Sequence, residues 1–158
     1  MLLVKNMNKK IFSTTALLLC CLLQCLNVEA QVAKAERVCG SWESEQHNLR
    51  ILVYMQHKQF RAKIIWFSDT DGKPMDYWRD TRNPDIKLRS RKILGMEILS
   101  GLRYNARTNS WEDGIVYDSR HGRYWNASAT IGKKGMLHVR GYWHFKWIGR
   151  TINFYRIR

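Results

Sequence analysis

The chain has 158 residues, of which 45% are hydrophobic, and its formal net charge is +14 at neutral pH. This length fits a single domain that buries a core without needing disulfides or metals to hold it together. The positive charge favours contact with anionic molecules. Because the bases are scattered and no recognition motif for nucleic acid is present, we predict no nucleic-acid partner.

The first thirty residues have the anatomy of a secretory signal peptide. A head with three lysines precedes an apolar run over residues 11–26 and an end at residues 28–30 that fits a processing site. The run is shorter than the ~18 to 20 apolar residues of a membrane-spanning helix. We therefore predict a leader over residues 1–30, a single β-barrel domain over residues 31–158, and a periplasmic or secreted location. An uncleaved anchor is the alternative.

Removal of the leader leaves one cysteine, Cys39, because the other three lie within the predicted signal peptide. An exported protein with one cysteine has no internal disulfide. We predict that Cys39 is a small buried hydrophobe rather than a reactive thiol, and that the protein is a monomer.

Short stretches that alternate between apolar and polar residues follow one another along the mature chain. After a polar, Ala-rich segment at residues 31–38, which we predict to be frayed, the folded part begins at Gly40. Alternation and turn residues predict strands over residues 50–56, 60–66, 93–104, 111–118, 123–131, 137–143 and 146–157. Regular short strands without an amphipathic helix predict an all-β fold, either an antiparallel sandwich or a barrel. Gly141 and Gly149, within strands, favour closure into an up-and-down barrel of about eight strands.

Residues 69–91 cannot be read as strand. The segment contains both prolines, Pro74 and Pro84, and an Asp71-Gly72 turn signal, which forbid pairing inside a sheet. Loops of this length in compact domains are usually functional or disordered. The aromatic residues Tyr77 and Trp78 favour an ordered lid, placed after the second or third strand.

The two ends of the folded part carry a second signal. Gly40-x-Trp42 in the first strand, together with Gly149 and Arg150 in the last, resembles lipocalin-like barrels, in which the Trp closes one end beneath an Arg of the final strand. The physical basis is a cation–π contact. We predict Arg150 as this arginine, with Arg156 as the second choice.

Several motifs, in order and at matching spacing, cover nearly the whole mature chain. Together they resemble a bacterial family of small exported proteins, domain of unknown function 2147. The resemblance implies a compact β-barrel in the periplasm or outside the cell and brings no activity. The chain departs from the family pattern at Lys92 and Ser119, where proline is usual. The motifs are Asp80-x-x-Asn83-Pro84-Asp85, Leu88-Arg89-x-Arg91, Trp111-x-x-Gly114-Ile115-x-Tyr117-Asp118, Gly122-x-x-Tyr124, Leu137-x-Val139-Arg140-Gly141-Tyr142 and Gly149-Arg150-Thr151.

Polar residues of the long loop and residues of the barrel strands are the candidate ligand-binding set. Arginines present a fork that matches carboxylate or phosphate groups, while strand aromatics line cavities in ligand barrels. The alternative is a self-satisfied loop in which Asp80 or Asp85 pairs with the arginines. The candidates are Asn83, Asp85, Arg89, Arg91, Tyr117, Trp125 and Arg140.

No sequence pattern points to catalysis. The five histidines lack metal-binding spacing, and no nucleophile and base form a recognisable pair. We therefore predict no enzyme activity, no metal and no cofactor. The favoured function is binding of a small amphipathic or anionic molecule at a barrel mouth closed by the 69–91 loop. The alternative is an envelope protein whose basic surface rests on anionic lipid or glycan.

Overall fold

The computed structural model describes residues 30–68 and 71–157. The chain divides into two compact units, one ending at Arg37 and the other beginning at Val38. In the first unit, residues 30–36 are helical, although a frayed segment was expected after residue 30. The predicted signal peptide lies almost entirely outside the described residues.

The second unit is a closed antiparallel barrel of eight strands, which confirms the predicted fold class. Each strand is hydrogen-bonded to its neighbours in sequence, and the last strand pairs with the first. Closure in this way leaves no sheet edge unpaired. The strands are β1 (Gly40–Ser44), β2 (Leu49–Gln56), β3 (Gln59–Phe67), β4 (Glu97–Asn105), β5 (Ser110–Asp118), β6 (Arg123–Ile131), β7 (Leu137–Tyr142) and β8 (Gly149–Ile157).

Side chains that alternate along the strands fill the barrel. In β3, Phe60, Ala62 and Ile64 are buried while the residues between them are partly exposed. Large rings and small residues interlock in this core, with Phe60 edge-on to Trp111 at 6.3 Å between ring centroids and Ala129 opposite Trp111 in the β5–β6 register. The buried residues of the alternating pattern therefore point into the barrel and pack against one another there.

One end of the barrel, where the chain enters β1, is closed by Trp42. This side chain is fully buried, and its indole nitrogen donates to the carbonyl oxygen of Val38 at 2.8 Å. The Arg156 guanidinium lies over the Trp42 ring. The predicted preference for Arg150 was wrong, since Gly149 and Arg150 begin β8 at the opposite end of the barrel, where they pair with Tyr142 and Gly141.

That opposite end, called the loop end below, carries the β1–β2, β5–β6 and β7–β8 turns and the connection between β3 and β4. The long loop follows the third strand and extends to Met96, since β4 begins at Glu97. The predicted start of that strand at Ile93 was therefore too early, and residues 93–96 belong to the loop. Two short 3-10 turns, Met75–Tyr77 and Ile86–Leu88, lie within it.

Candidate functional site

A buried carboxylate organises the long loop. Asp80 is fully buried, and its oxygens accept hydrogen bonds from Asn83 Nδ2, Arg91 Nη2 and Tyr117 Oη, each at 2.7 Å. The first two donors belong to the loop itself, whereas Tyr117 belongs to β5. The carboxylate therefore joins the loop to the barrel wall, as expected of a buried charge that must be paired.

Burial and hydrogen bonding act on Asp80 in opposite directions. Burial is the largest single influence and raises the pKa of this carboxyl group, but the bonds from Asn83, Tyr117 and Arg91 together outweigh it and hold the pKa below its usual value. Burial, and then the bond to Asp80, raise the pKa of the Tyr117 hydroxyl. The pair is therefore a carboxylate and a neutral phenol near neutral pH.

Backbone contacts fix the same loop against itself and against the barrel. Asp80 N donates to Arg91 O at 2.9 Å, and Ile93 N donates to Trp78 O at 3.1 Å, so the two ends of the segment pair with each other. At the β5–β6 turn, a Cβ atom added to Gly122 would lie 1.9 Å from Arg82 O. The loop therefore packs closely onto the turn, which only a glycine permits there.

Three of the predicted ligand-binding residues form hydrogen bonds within the loop instead of lining a cavity. Asn83 is fully buried; its side-chain oxygen accepts from Asp85 N at 2.9 Å, and its carbonyl oxygen accepts from Arg89 Nε at 2.8 Å. Asp85 in turn caps the second 3-10 turn by accepting from Lys87 N. Of the two alternatives left open by the sequence, the self-satisfied loop describes these residues.

Arg91 and Tyr117 also face a polar hollow on the outer side of the barrel. Its volume is about 200 Å³, and the Arg91 side chain is 33% exposed. Glu97 lines it too, but its carboxylate already accepts from Arg61 Nη1 at 2.9 Å and from Tyr54 Oη at 2.8 Å. The remaining lining residues are Ile98, Leu99, Ser100, Ile115 and Tyr124.

A second hollow, of about 180 Å³, adjoins the first and is mainly aromatic. Ile115 and Tyr124 line both, and Trp125, Asn126, Trp143 and His144 complete the second. Trp125 and Trp143 meet edge to face with centroids 5.7 Å apart. We call the two hollows together the outer groove. It has an apolar half beside β6 and a polar half beside Arg91.

Sequence reasoning found Arg91, Tyr117 and Trp125 but missed Ser100, Ile115, Tyr124 and Trp143. The strand pattern carried a partial signal, since Ile115 and Tyr124 occupy positions that alternate with core residues and so lie on the outer side. Apolar residues at such positions occur singly on many surfaces. Only the loop folding over Tyr117 turns this face into a groove.

Arg140, the last predicted ligand residue, faces the β7–β8 turn. Its guanidinium donates to the carbonyl oxygens of Lys146 and Trp147 and, at 3.0 Å, to Thr151 Oγ1. Because these bonds occupy the fork, Arg140 fixes the turn and does not line the outer groove.

Among residues 30–68 and 71–157, no group of three His, Cys, Asp or Glu side chains is arranged to hold a metal ion. Within the same residues, no helix has the length and apolar character needed to cross a membrane. Cys39, expected to be buried, is half-buried.

Comparison with known proteins agrees with this architecture. The family model described as "uncharacterized protein conserved in bacteria (DUF2147)" matches residues 40–156, from the first strand of the barrel to the last. The chain belongs to this bacterial family. A search of curated proteins finds no match.

A solved structure of another protein also supports this fold. The chain is similar to protein HP1028 from the human pathogen Helicobacter pylori, described as belonging to the lipocalin family, with a TM-score of 0.64 and 24% identity over 77% of this chain and 83% of that one. At this identity the likeness shows the fold alone. The DUF2147 barrel is thus lipocalin-like.

Proposed function

We propose that this member of the family is an exported binding protein for a small amphipathic molecule, held in the outer groove. The observation that carries the proposal is the pairing of an aromatic hollow with a polar one across Ile115 and Tyr124. Binding sites for small molecules combine an apolar lining with a few placed polar groups. Lipocalin-like barrels suggest the same class of function.

The groove suits a ligand with an anionic or hydroxyl group at one end. Arg91 supplies a guanidinium that is partly exposed on the polar side, and Ser100 supplies a hydroxyl. The ligand's apolar part would lie on Tyr124, Trp125 and Trp143. Each hollow alone is smaller than the roughly 300 to 1,000 Å³ of drug-sized sites, and the two together are near the lower end of that range, so the ligand is small.

The barrel interior is packed toward the end closed by Trp42, which argues against a ligand deep on the barrel axis. Trp42, Leu102, Trp111 and Leu137 are all essentially inaccessible to solvent. In this proposal the long loop is a fixed wall that presents Arg91, because Asp80 ties it to Tyr117. It would not need to open for the ligand to enter.

The test uses residues 31–158, which retain all eight strands and the core. The fluorescence of 8-anilinonaphthalene-1-sulfonate, a small aromatic anion, reports binding, and competition with a panel of fatty acids, bile acids and aromatic acids identifies the chemical class. Ile115→Ser removes the wall shared by both hollows, and Ser100→Phe fills the polar hollow. We expect each to weaken binding at least about tenfold, a change of about 1.4 kcal/mol.

Met55→Ser is the matched control, since Met55 is 47% exposed, Ile115 is 48% exposed, and Met55 lies at the opposite end of the barrel. It should leave the affinity unchanged. Equal affinities for the wild type and both groove variants would show that the probe binds elsewhere and would overturn the proposal.

A further inference from the structure

The β7–β8 turn displays a cluster of apolar side chains to solvent. Trp147 is 76% exposed, and Trp143, Phe145 and Ile148 are each about half exposed or more. The Phe145 and Trp147 rings stack with centroids 5.8 Å apart and an interplanar angle of 18°. We call residues 143–148 the aromatic turn. Only Trp143 and His144 of this turn also line the outer groove.

The turn owes its shape to polar bonds and not to burial of its rings. Ile148 N donates to Phe145 O at 3.0 Å, and Trp143 N donates to Ile148 O at 3.2 Å. Arg140 binds two of its carbonyl oxygens from beneath. Because these bonds already hold the loop in one conformation with its aromatic rings exposed, little conformational entropy would be lost on binding. The free-energy cost of binding is therefore lower.

The charged residues around the turn are mainly positive. Residues 119–158 contain nine Lys and Arg and no Asp or Glu. Strands β6, β7 and β8 come from this segment and are adjacent in the barrel. Arg120 lies in the β5–β6 turn, and Arg123 and Arg150 lie at the starts of β6 and β8, so all three are at the loop end, as is the aromatic turn. The acids of other elements that approach this segment each accept hydrogen bonds from it: Glu112 from Lys146, Glu45 from Asn153, and Asp118 from Arg120 N and the His121 ring.

From these observations we infer that the aromatic turn is a docking element for an anionic lipid surface. Trp and Phe insert at the boundary between headgroups and acyl chains, where amphipathic rings are favoured. The neighbouring arginines would contact lipid phosphates, because basic residues near an anionic surface are attracted to it. The acid-free segment favours lipid over a protein partner, whose surface would carry both signs of charge.

The experiment measures partition of residues 31–158 onto vesicles, which removes the predicted leader as a competing apolar segment. Vesicles contain either phosphatidylcholine alone or an equal mixture of phosphatidylcholine and phosphatidylglycerol. We expect binding to the mixed vesicles that weakens with added salt, and partial quenching of the tryptophan fluorescence by lipids brominated in the acyl chain. The double variant Phe145→Ser with Trp147→Ser should bind at least about tenfold more weakly.

The double variant Met55→Ser with Tyr155→Ser is the control, because both residues are exposed and lie away from the turn. It should bind like the wild type. Three results would overturn the inference: no binding to mixed vesicles, equal partition of the turn variant and the wild type, or a dimer in solution that the turn substitutions dissociate. Neither Phe145 nor Trp147 lines the outer groove, so anilinonaphthalene binding by the turn variant separates this inference from the proposed function.

Discussion

The Arg156 guanidinium lies 4.2 Å from the centroid of the Trp42 ring, and the two residues are directly opposite each other in the β1–β8 register. The same guanidinium donates to Cys39 O at 2.8 Å. A Cβ atom at Gly40 would lie 2.5 Å from Arg156 Nη1, so glycine makes room for the arginine. The Gly-x-Trp motif is thus one half of a contact that also closes the barrel.

Arg156→Ala should therefore lower the free energy of unfolding by about 1 to 3 kcal/mol, through loss of the cation–π contact and of packing by the arginine stem. Chemical denaturation measures this change. In a double-mutant cycle with Trp42→Leu, the two positions should couple by about 0.5 kcal/mol or more. Arg150→Ala is the control and should change stability by less than about 0.5 kcal/mol. A larger effect at Arg150 than at Arg156 would contradict this account.

Gly122 is predicted to be indispensable for docking of the long loop. Gly122 and Gly135 both have positive φ, 65° and 75°, but a Cβ at Gly135 meets nothing within 4 Å. Gly135→Ala should therefore cost only the backbone penalty of about 1 kcal/mol. Gly122→Ala adds the collision with Arg82 and should cost about 1 to 3 kcal/mol more. Thermal unfolding compares the two variants, and equal costs would mean that the loop does not pack on this turn.

The Asp80 network should be one of the most sensitive sites in the chain. Asp80→Asn removes the charge that pairs with Arg91 and should destabilise the protein by about 2 to 4 kcal/mol, less than a fully buried pair would because Arg91 is partly exposed. Tyr117→Phe removes one charge-assisted hydrogen bond and should cost about 1.5 to 3 kcal/mol. Amide exchange should show the loop opening in both variants; protection equal to that of the wild type would argue against this network as the anchor.

The network also predicts a pH dependence. The pKa of Asp80 is lower in the folded protein than in the unfolded chain. The ionised carboxylate's contribution to the free energy of unfolding is therefore fully present above the unfolded-chain pKa of about 3.9, and it is lost as the pH falls through the folded-state pKa. The difference in unfolding free energy between the wild type and Asp80→Asn should therefore stay nearly constant from neutral pH down to about 4 and shrink as the pH is lowered further. Urea titrations at several pH values measure it. A difference that stays constant at the lowest pH values as well would indicate an unperturbed carboxyl group.

Much of the fold follows from the sequence by itself. Alternating residues such as Phe60, Ala62 and Ile64 mark which side of a strand is buried, because successive side chains point to opposite faces. Proline and glycine mark where pairing stops, which located the long loop. The Gly40-x-Trp42 motif indicated a closed end, and no helical periodicity competed with the strand pattern. These signals are local, and a barrel of short antiparallel strands is built largely from local pairings.

The tertiary structure decided which distant residues meet. Arg150 and Arg156 both lie on β8 and are equivalent in local pattern, and only the β1–β8 register places Arg156 opposite Trp42. Asp80 and Tyr117 are far apart in the sequence, yet a hydrogen bond between them holds the long loop against the barrel. The outer groove and the aromatic turn depend on how that loop and the β7–β8 turn pack on the barrel. Such contacts are set by chain closure and side-chain geometry, which periodicity does not encode.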